Sequence, residues 1–371
     1  MKKAIIVLLL LAFVAGGLFA QEGLTFGGRV MAGIGMWKVG DADAGWGIAT
    51  TNGSTRGMRL NFTATYRNAD KNKGFNFYLR SRGAGSGSRV FSPAGPSGSA
   101  IEILYARGWF TAFDGLLYVE GGKMFDSPFG YGDWWGWDDP TDAAYGIQAQ
   151  VRPNDKIKIG FGATNSRAID VMGAFGLMNW FIGFRGDFGL VDARAYLKWR
   201  KEYLELHATA TIGLDKVEIG IPVYVYSLTD FAASGELLFM PYVTFSGIEN
   251  MNLGLVGHMG MEGADMNSDI VIGALLYADY NFGGKIIPRL GLGFVSGGTY
   301  NGMNTGIRES IWENHTYDKG DAFLLIRPRV RFRTSSTSWV DFAGIFDIQV
   351  GDNKPSNPIN IGALVDFSVS F

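Results

Sequence analysis

Ile359-Asn360-Ile361-Gly362-Ala363-Leu364-Val365-Asp366-Phe367-Ser368-Val369-Ser370-Phe371 closes the chain and carries two separate rows. Ile359, Ile361, Ala363, Val365, Phe367, Val369 and Phe371 form an unbroken apolar row at period two. Asn360, Gly362, Asp366, Ser368 and Ser370 form the alternate row, interrupted only by Leu364. Period two places the rows on opposite faces of a β-strand. Such a strand needs an apolar medium on one side and a polar one on the other. A half-buried soluble strand satisfies that condition as well, so the other strands have to decide.

This ending resembles the C-terminal strand of bacterial outer-membrane β-barrels. The resemblance implies that Phe371, with Phe367 and Val369 before it, serves as the signal read by the barrel-assembly machinery. It also implies outer-membrane lipid around the molecule.

The chain of 371 residues has 54 Gly and no Cys, with 14% aromatic, 18% charged and 47% hydrophobic residues. Past the N-terminus no apolar run is long enough for a membrane-spanning helix. An apolar composition without such helices fits a barrel, where only alternate residues face lipid. Lack of Cys excludes disulfides and thiolate zinc sites, and leaves no lipobox.

Residues 1–20 read as a secretory signal peptide. Lys2 and Lys3 form the positive start, Ala4 to Val14 the apolar run, and Ala20 precedes the expected cleavage, although Leu18 stands where a small residue is preferred. Residues 21–371 then form one domain. Without Lys2 and Lys3, the 33 basic residues become 31 against 35 acidic ones, a net charge of −4. That is not the balance of a nucleic-acid binder.

Alternation continues along the mature chain. Met58, Leu60, Phe62, Ala64 and Tyr66 alternate with Arg59, Asn61, Thr63, Thr65 and Arg67, and Phe75, Phe77 and Leu79 with Asn76, Tyr78, Arg80 and Arg82. Short turns, such as Phe113-Asp114-Gly115, Pro153-Asn154-Asp155 and Gly283-Gly284-Lys285, take turns with long connections. That rhythm is the mark of an antiparallel transmembrane barrel with short periplasmic turns and long external loops. We count 18 strands; with one weak hairpin near Arg200 to Glu202 discounted, the number is 16. A secreted β-sandwich or β-helix would leave too much apolar surface on too many strands.

If the apolar rows face lipid, the alternate rows face the lumen. In the sixteenth strand, Leu324, Ile326, Pro328, Val330 and Phe332 alternate with Arg327, Arg329, Arg331 and Arg333. Guanidinium groups facing lipid would be costly. This row, with Arg59, Arg80 and Arg82 on other inner rows, is read as a positive wall along a water-filled pore. Arg67, Arg152, Arg185, Arg194 and Arg289 fall on inner rows too. So do Glu120, Asp192, Glu205, Glu218, Asp279, Asp341 and Asp347, which leaves anion selectivity unsettled at the level of sequence.

The fifth strand ends in Gly121-Gly122-Lys123. A connection from about Phe125 to Ala143 follows, carrying Asp126, Asp133, Trp134, Trp135, Trp137, Asp138 and Asp139. Gly122-Lys123 at this ordinal position looks like the porin family's element at the end of the fifth strand. The resemblance implies that the third external loop folds into the lumen as a constriction, with its acidic residues facing the arginines. A transverse field of that kind orients polar solutes. The three Trp residues either pack the loop onto the wall or offer stacking faces to sugar rings, as in sugar-specific porins.

The other chemistry-bearing patterns are weak. Asp41-Ala42-Asp43-Ala44-Gly45 lacks the remaining ligands of a calcium loop. His207 and His258 sit on inner rows without forming a recognisable dyad. No phospholipase-type Ser-His pair is evident, and Gly83 to Ser88 lacks the Lys of a phosphate loop. The expectation is a general-diffusion porin that passes small hydrophilic solutes and ions, with no cofactor, no metal and no enzymatic chemistry. By family resemblance it is a homotrimer. The competing readings are a sugar-selective porin using the loop Trp residues and a non-conducting surface receptor or adhesin.

Overall fold

Strands that alternate over nine or more residues have no hydrogen-bond partners of their own, so they must pair along both edges or leave open edges. The computed structural model shows every wall strand paired on both sides. It describes residues 23–39, 44–48, 59–81, 101–125, 127–133, 136–138, 140–141, 144–165, 178–200, 203–230, 235–262, 270–296, 322–350 and 358–370.

The strands are β1 (Leu24–Val39), β2 (Gly45–Ile48), β3 (Arg59–Arg67), β4 (Lys73–Ser81), β5 (Ile101–Ala112) and β6 (Leu117–Lys123). A small hairpin, β7 (Tyr131–Asp133) and β8 (Gly136–Asp138), forms a sheet of its own. The wall resumes with β9 (Tyr145–Val151), β10 (Ile157–Asn165), β11 (Asn179–Asp187), β12 (Val191–Trp199) and β13 (Leu204–Leu214). Then come β14 (Val217–Gly220), β15 (Val223–Tyr226), β16 (Glu236–Phe239), β17 (Tyr242–Phe245), β18 (Met251–Glu262) and β19 (Val271–Tyr280). The last are β20 (Ile286–Ser296), β21 (Ala322–Arg333), β22 (Trp339–Gln349) and β23 (Ile359–Ser370).

Three wall strands are each written in two pieces. β2 and β3 both pair with β1, over successive stretches of it. β14 and β15 are parted at Pro222, and β16 and β17 at Pro241. Proline has no N–H to give the ladder, so it interrupts a strand where it stands. The breaks face each other, because β14 pairs with β17 and β15 with β16. Counted this way the wall has eighteen antiparallel strands. It closes where β1 meets β23, from Arg29 opposite Ser370 to Val39 opposite Asn360. The stretch Gly45–Ile48 is a strand pairing with Ile34 to Trp37.

The wall is inside out relative to a soluble protein. On β23, Ile361, Val365 and Phe367 are 44%, 43% and 44% exposed, whereas Asp366 and Ser368 are 2% and 1% exposed. Leu364, the apolar intruder in the polar row, is buried on the inner face at 4%. The same inversion runs along β9 to β11, where Ile147, Ile159, Phe161 and Ile182 point outward and Gln148, Gln150 and Phe181 inward. Phe26, Phe75, Phe113, Phe188, Phe282 and Phe332 stand exposed around the short-turn end. Such an aromatic girdle marks a membrane interface.

Glycines in mid-strand would ordinarily weaken a sheet. Here rings from neighbouring strands cover the inner face at several of them: Phe181 at Gly162, Tyr242 at Gly220, Tyr277 at Gly254 and Trp109 at Gly74. The inner glycines therefore receive aromatic rings, a pairing that restores packing over a residue without a side chain.

Candidate functional site

Register places inner-row side chains in cross-strand rows about 4.8 Å apart from strand to strand. Three rows on β9 to β13 meet the third long connection. In the lowest row Lys158 lies opposite Arg185, and Arg185 opposite Arg194. Arg152 follows Val151, which pairs with Ile159, and so stands beside Lys158. Four cations thus occupy neighbouring positions. Asp192 accepts from Arg185 Nη2 at 2.7 Å and from Arg194 Nε at 2.8 Å. Among the described residues no carboxylate forms an ion pair with Arg152 or Lys158. Arg152 instead donates to Gln150 Oε1 at 2.7 Å and lies 3.9 Å over the Tyr118 ring.

The next row reads Gln150, Gly160, Gly183, Tyr196, His207 and Tyr224. Phe129, from the connection after β6, is fully buried on this row and clusters with Phe181 and Tyr196. A Cβ at Gly160 or Gly183 would overlap the Phe129 ring, so the two glycines form its seat. The next residue, Gly130, accepts from Arg194 Nη1 through its carbonyl at 3.3 Å. Ser127 Oγ donates to Gln148 Oε1 at 3.4 Å. The base of the connection is tied down as well: Arg107 Nη1 donates to the Phe125 carbonyl at 2.6 Å and reaches Glu120 Oε1 at 3.3 Å. Glu120, 2% exposed, also accepts from Tyr118 Oη at 2.5 Å and from Gln148 Nε2. Phe125 and residues 127–130 therefore lie against the inner wall.

Across the barrel, the arginine row of β21 stands on the inner face. Arg327 is ion-paired with Asp347 at 2.5 Å, with 4% and 2% of the side chains exposed. Arg331 makes two 2.7 Å bonds to Asp341, and Arg289 of β20 pairs with Asp279 at 2.5 Å. Arg329 lies opposite Arg289 and Ala343. Arg333 is exposed at the short-turn end, opposite Trp339. Each of Arg327, Arg331 and Arg289 thus has a carboxylate of its own, whereas the rung of four on β9 to β12 has one. Lys158, Phe129 and the seat glycines were not singled out from sequence as site residues; the signal available was the Gly160 and Gly162 alternation opposite a Phe-bearing loop.

Other expected residues fall elsewhere. Arg80 lies opposite Asn61 and Glu102 on the inner row. Arg59 pairs with Met31 in the backbone ladder. Lys123 shares a row with the outward Tyr145, its Nζ 5.8 Å from that ring. Asp133, Trp137 and Asp138 belong to the β7–β8 hairpin, where Asp138 pairs with Tyr131 and Asp133 with Gly136. Phe367 and Val369 point outward. Arg82, Asp126, Trp134, Trp135, Asp139, Phe371 and the segment 1–20 lie outside the described residues.

A closed, inside-out wall of eighteen antiparallel strands defines a fold class: the outer-membrane β-barrel. Several solved structures of that kind resemble this chain. OccAB4 from Acinetobacter baumannii aligns with a TM-score of 0.55 at 8% identity, covering 95% of this chain and 99% of that one. OpdK from Pseudomonas aeruginosa, solved with vanillate, gives 0.55 at 10% identity over 95% and 99% of the two chains. The outer membrane protein OprD from Pseudomonas aeruginosa gives 0.55 at 10% identity over 94% and 95%. No family model and no curated protein matches the sequence.

Proposed function

We propose that this protein is an outer-membrane diffusion channel for small hydrophilic solutes and ions, narrowed by the start of its third long connection and favouring anions at the narrowing. One observation carries the reading. Phe129 and Gly130 sit on the inner wall immediately beside Arg194, in a rung of four cations: Arg185 and Arg194 are ion-paired with Asp192, and Arg152 and Lys158 have no ion-paired carboxylate among the described residues. Solutes that pass there meet the unpaired charges of Arg152 and Lys158. Water-lined walls with fixed charge select by electrostatics and width. OpdK, a protein of the same fold, was solved with vanillate, an organic anion, which agrees with that sign.

The direction of insertion follows from the connections. Short turns such as Phe113-Asp114-Gly115 lie on the periplasmic side and long ones outside. Residues 1–20 act as the export signal, and Phe367, Val369 and Phe371 are presented to the assembly machinery. The molecule is a homotrimer in lipid. Its passive transport requires neither a cofactor nor covalent chemistry.

The test is ion selectivity in a salt gradient. Replacing Lys158 and Arg194 by Gln should shift the reversal potential toward cations. An unchanged potential would remove the rung from the pore. A second double variant, Asp138→Asn with Asp139→Asn, asks whether the far part of the connection also faces the lumen. If it does, anion preference rises; if the potential does not move, those two residues lie off the path.

A further inference from the structure

Arg152 and Lys158, the two cations of the rung without an ion-paired carboxylate, stand on neighbouring strands. Val151 pairs with Ile159, which sets Arg152 opposite Lys158 on the inner row. Their backbones are therefore about 4.8 Å apart. Both side chains are half-buried, so part of each faces the lumen. Arg152 is braced. Its Nε and Nη2 donate to Gln150 Oε1 at 3.0 and 2.7 Å. The guanidinium lies 3.9 Å over the Tyr118 ring, and Tyr118 is itself fixed by donating to Glu120 at 2.5 Å. The backbone N–H of Arg152 donates to the Leu116 carbonyl at 2.7 Å. One edge and one face of the guanidinium are thereby used, and the Nη1 edge stays open.

The charged groups within reach of Lys158 are Arg152, Arg185, Arg194 and Asp192. Asp192 is engaged by Arg185 and Arg194. Glu120, the carboxylate within reach of Arg152, is ion-paired with Arg107. Asp155, Lys156 and Asp187 stand exposed on the turns beyond. Two adjacent cations with no carboxylate of their own suit an anion of more than one charge. A phosphate group carries about −1.5 to −2 at pH 7 and has three acceptor oxygens. Different oxygens can take the open Arg152 edge and the Lys158 ammonium at once, since a guanidinium meets phosphate as a planar fork and lysine meets it as a point charge. A monocarboxylate brings one charge and two oxygens, so it answers only one of the two cations.

We infer that Arg152 and Lys158 form a subsite for a phosphate group, borne by inorganic phosphate or by a small phosphomonoester passing through the lumen. Tyr118 and Gln150 act as positioning residues that aim Arg152. The inference rests on the anion-favouring channel reading and adds a ligand class to it.

Inorganic phosphate, added at about pH 8 to the full-length protein in a planar bilayer, is then mostly a dianion, its second pKa being about 6. It should reduce the KCl conductance in a saturable way, and acetate should not at the same concentration. Lys158→Gln touches no wall contact and should raise the half-blocking concentration about tenfold. Arg152→Gln should do the same, whereas Lys158→Arg keeps the charge and should block within about twofold of the original protein. Lys285→Gln, in another short turn, should leave the block unchanged. Glycerol phosphate separates the two bearers: block by both assigns the subsite to the phosphate group in general, and block by inorganic phosphate alone assigns it to the free ion. KCl current with no saturable phosphate block, or equal block by acetate, or block unchanged in Lys158→Gln, would overturn the inference and leave the channel standing. Absence of KCl current from folded protein would instead overturn the channel reading, and this inference with it.

Discussion

Single side chains set the proposed narrowing. Phe129 is held because Gly160 and Gly183 have no Cβ. Phe129→Ala removes the buried anchor of the connection and should therefore change single-channel conductance, and a conductance equal to the original would mean the connection does not narrow the path. The ring that fills this seat was not legible in the sequence, because a contact between Phe129 and Gly183 depends on how a loop folds back. The arginines show the same division. Alternation placed Arg327 and Arg331 on the inner face, and the structure adds that Asp347 and Asp341, one strand away, pair with them. Such pairing is legible in sequence only once register is known. Both members of the Arg327–Asp347 pair are nearly fully buried, so Asp347→Ala leaves a buried cation without its partner. It should destabilise the barrel by roughly 3–5 kcal/mol, read from urea unfolding in lipid vesicles. A loss near zero would mean water reaches that pair freely.

Strands are where the sequence spoke most clearly. Period-two rows located β3, β4, β21 and β23, because lipid on one side and a polar lumen on the other enforce alternation in every turn of the pleat. Charge on the outer row should be costly. Leu276 is 52% exposed on β19, and Leu276→Arg should cost about 2–4 kcal/mol in the same unfolding measurement. A neutral result would contradict the assignment of that face to lipid. The broken strands were less legible. Pro222 and Pro241 stand opposite each other across two neighbouring strands, and only cross-strand pairing reveals that the two interruptions form one gap in the ladder. The Met240 N–H bridges it by donating to the Pro222 carbonyl at 3.0 Å, and the Gly257 N–H donates to the Pro241 carbonyl at 2.7 Å. Gly45–Ile48 was hidden for a different reason: four residues amid Gly and Asp are too few for a period to declare itself.

For the whole molecule, strand number and closure follow from pairing both edges of every strand, and the count of eighteen made from turns agrees with the wall observed. What the count cannot convey is where charge is left over. Among the described residues, the wall of β20 to β22 carries Arg–Asp pairs, whereas on β9 to β12, beside Phe129, Asp192 is shared by Arg185 and Arg194 while Arg152 and Lys158 have no ion-paired carboxylate. The proposed anion preference at the narrowing rests on that difference between the two sides. Salt should screen that preference, since exposed charges act over about 8–10 Å at physiological ionic strength and only about 3 Å at 1 M. The measurement that bears most directly on this account is the reversal potential of the reconstituted protein in a planar bilayer, recorded across a KCl gradient at low and high salt. Steady open steps with an anion-selective potential that weakens at high salt are the predicted result. A folded barrel that never conducts, or one that conducts with cation selectivity, would contradict it.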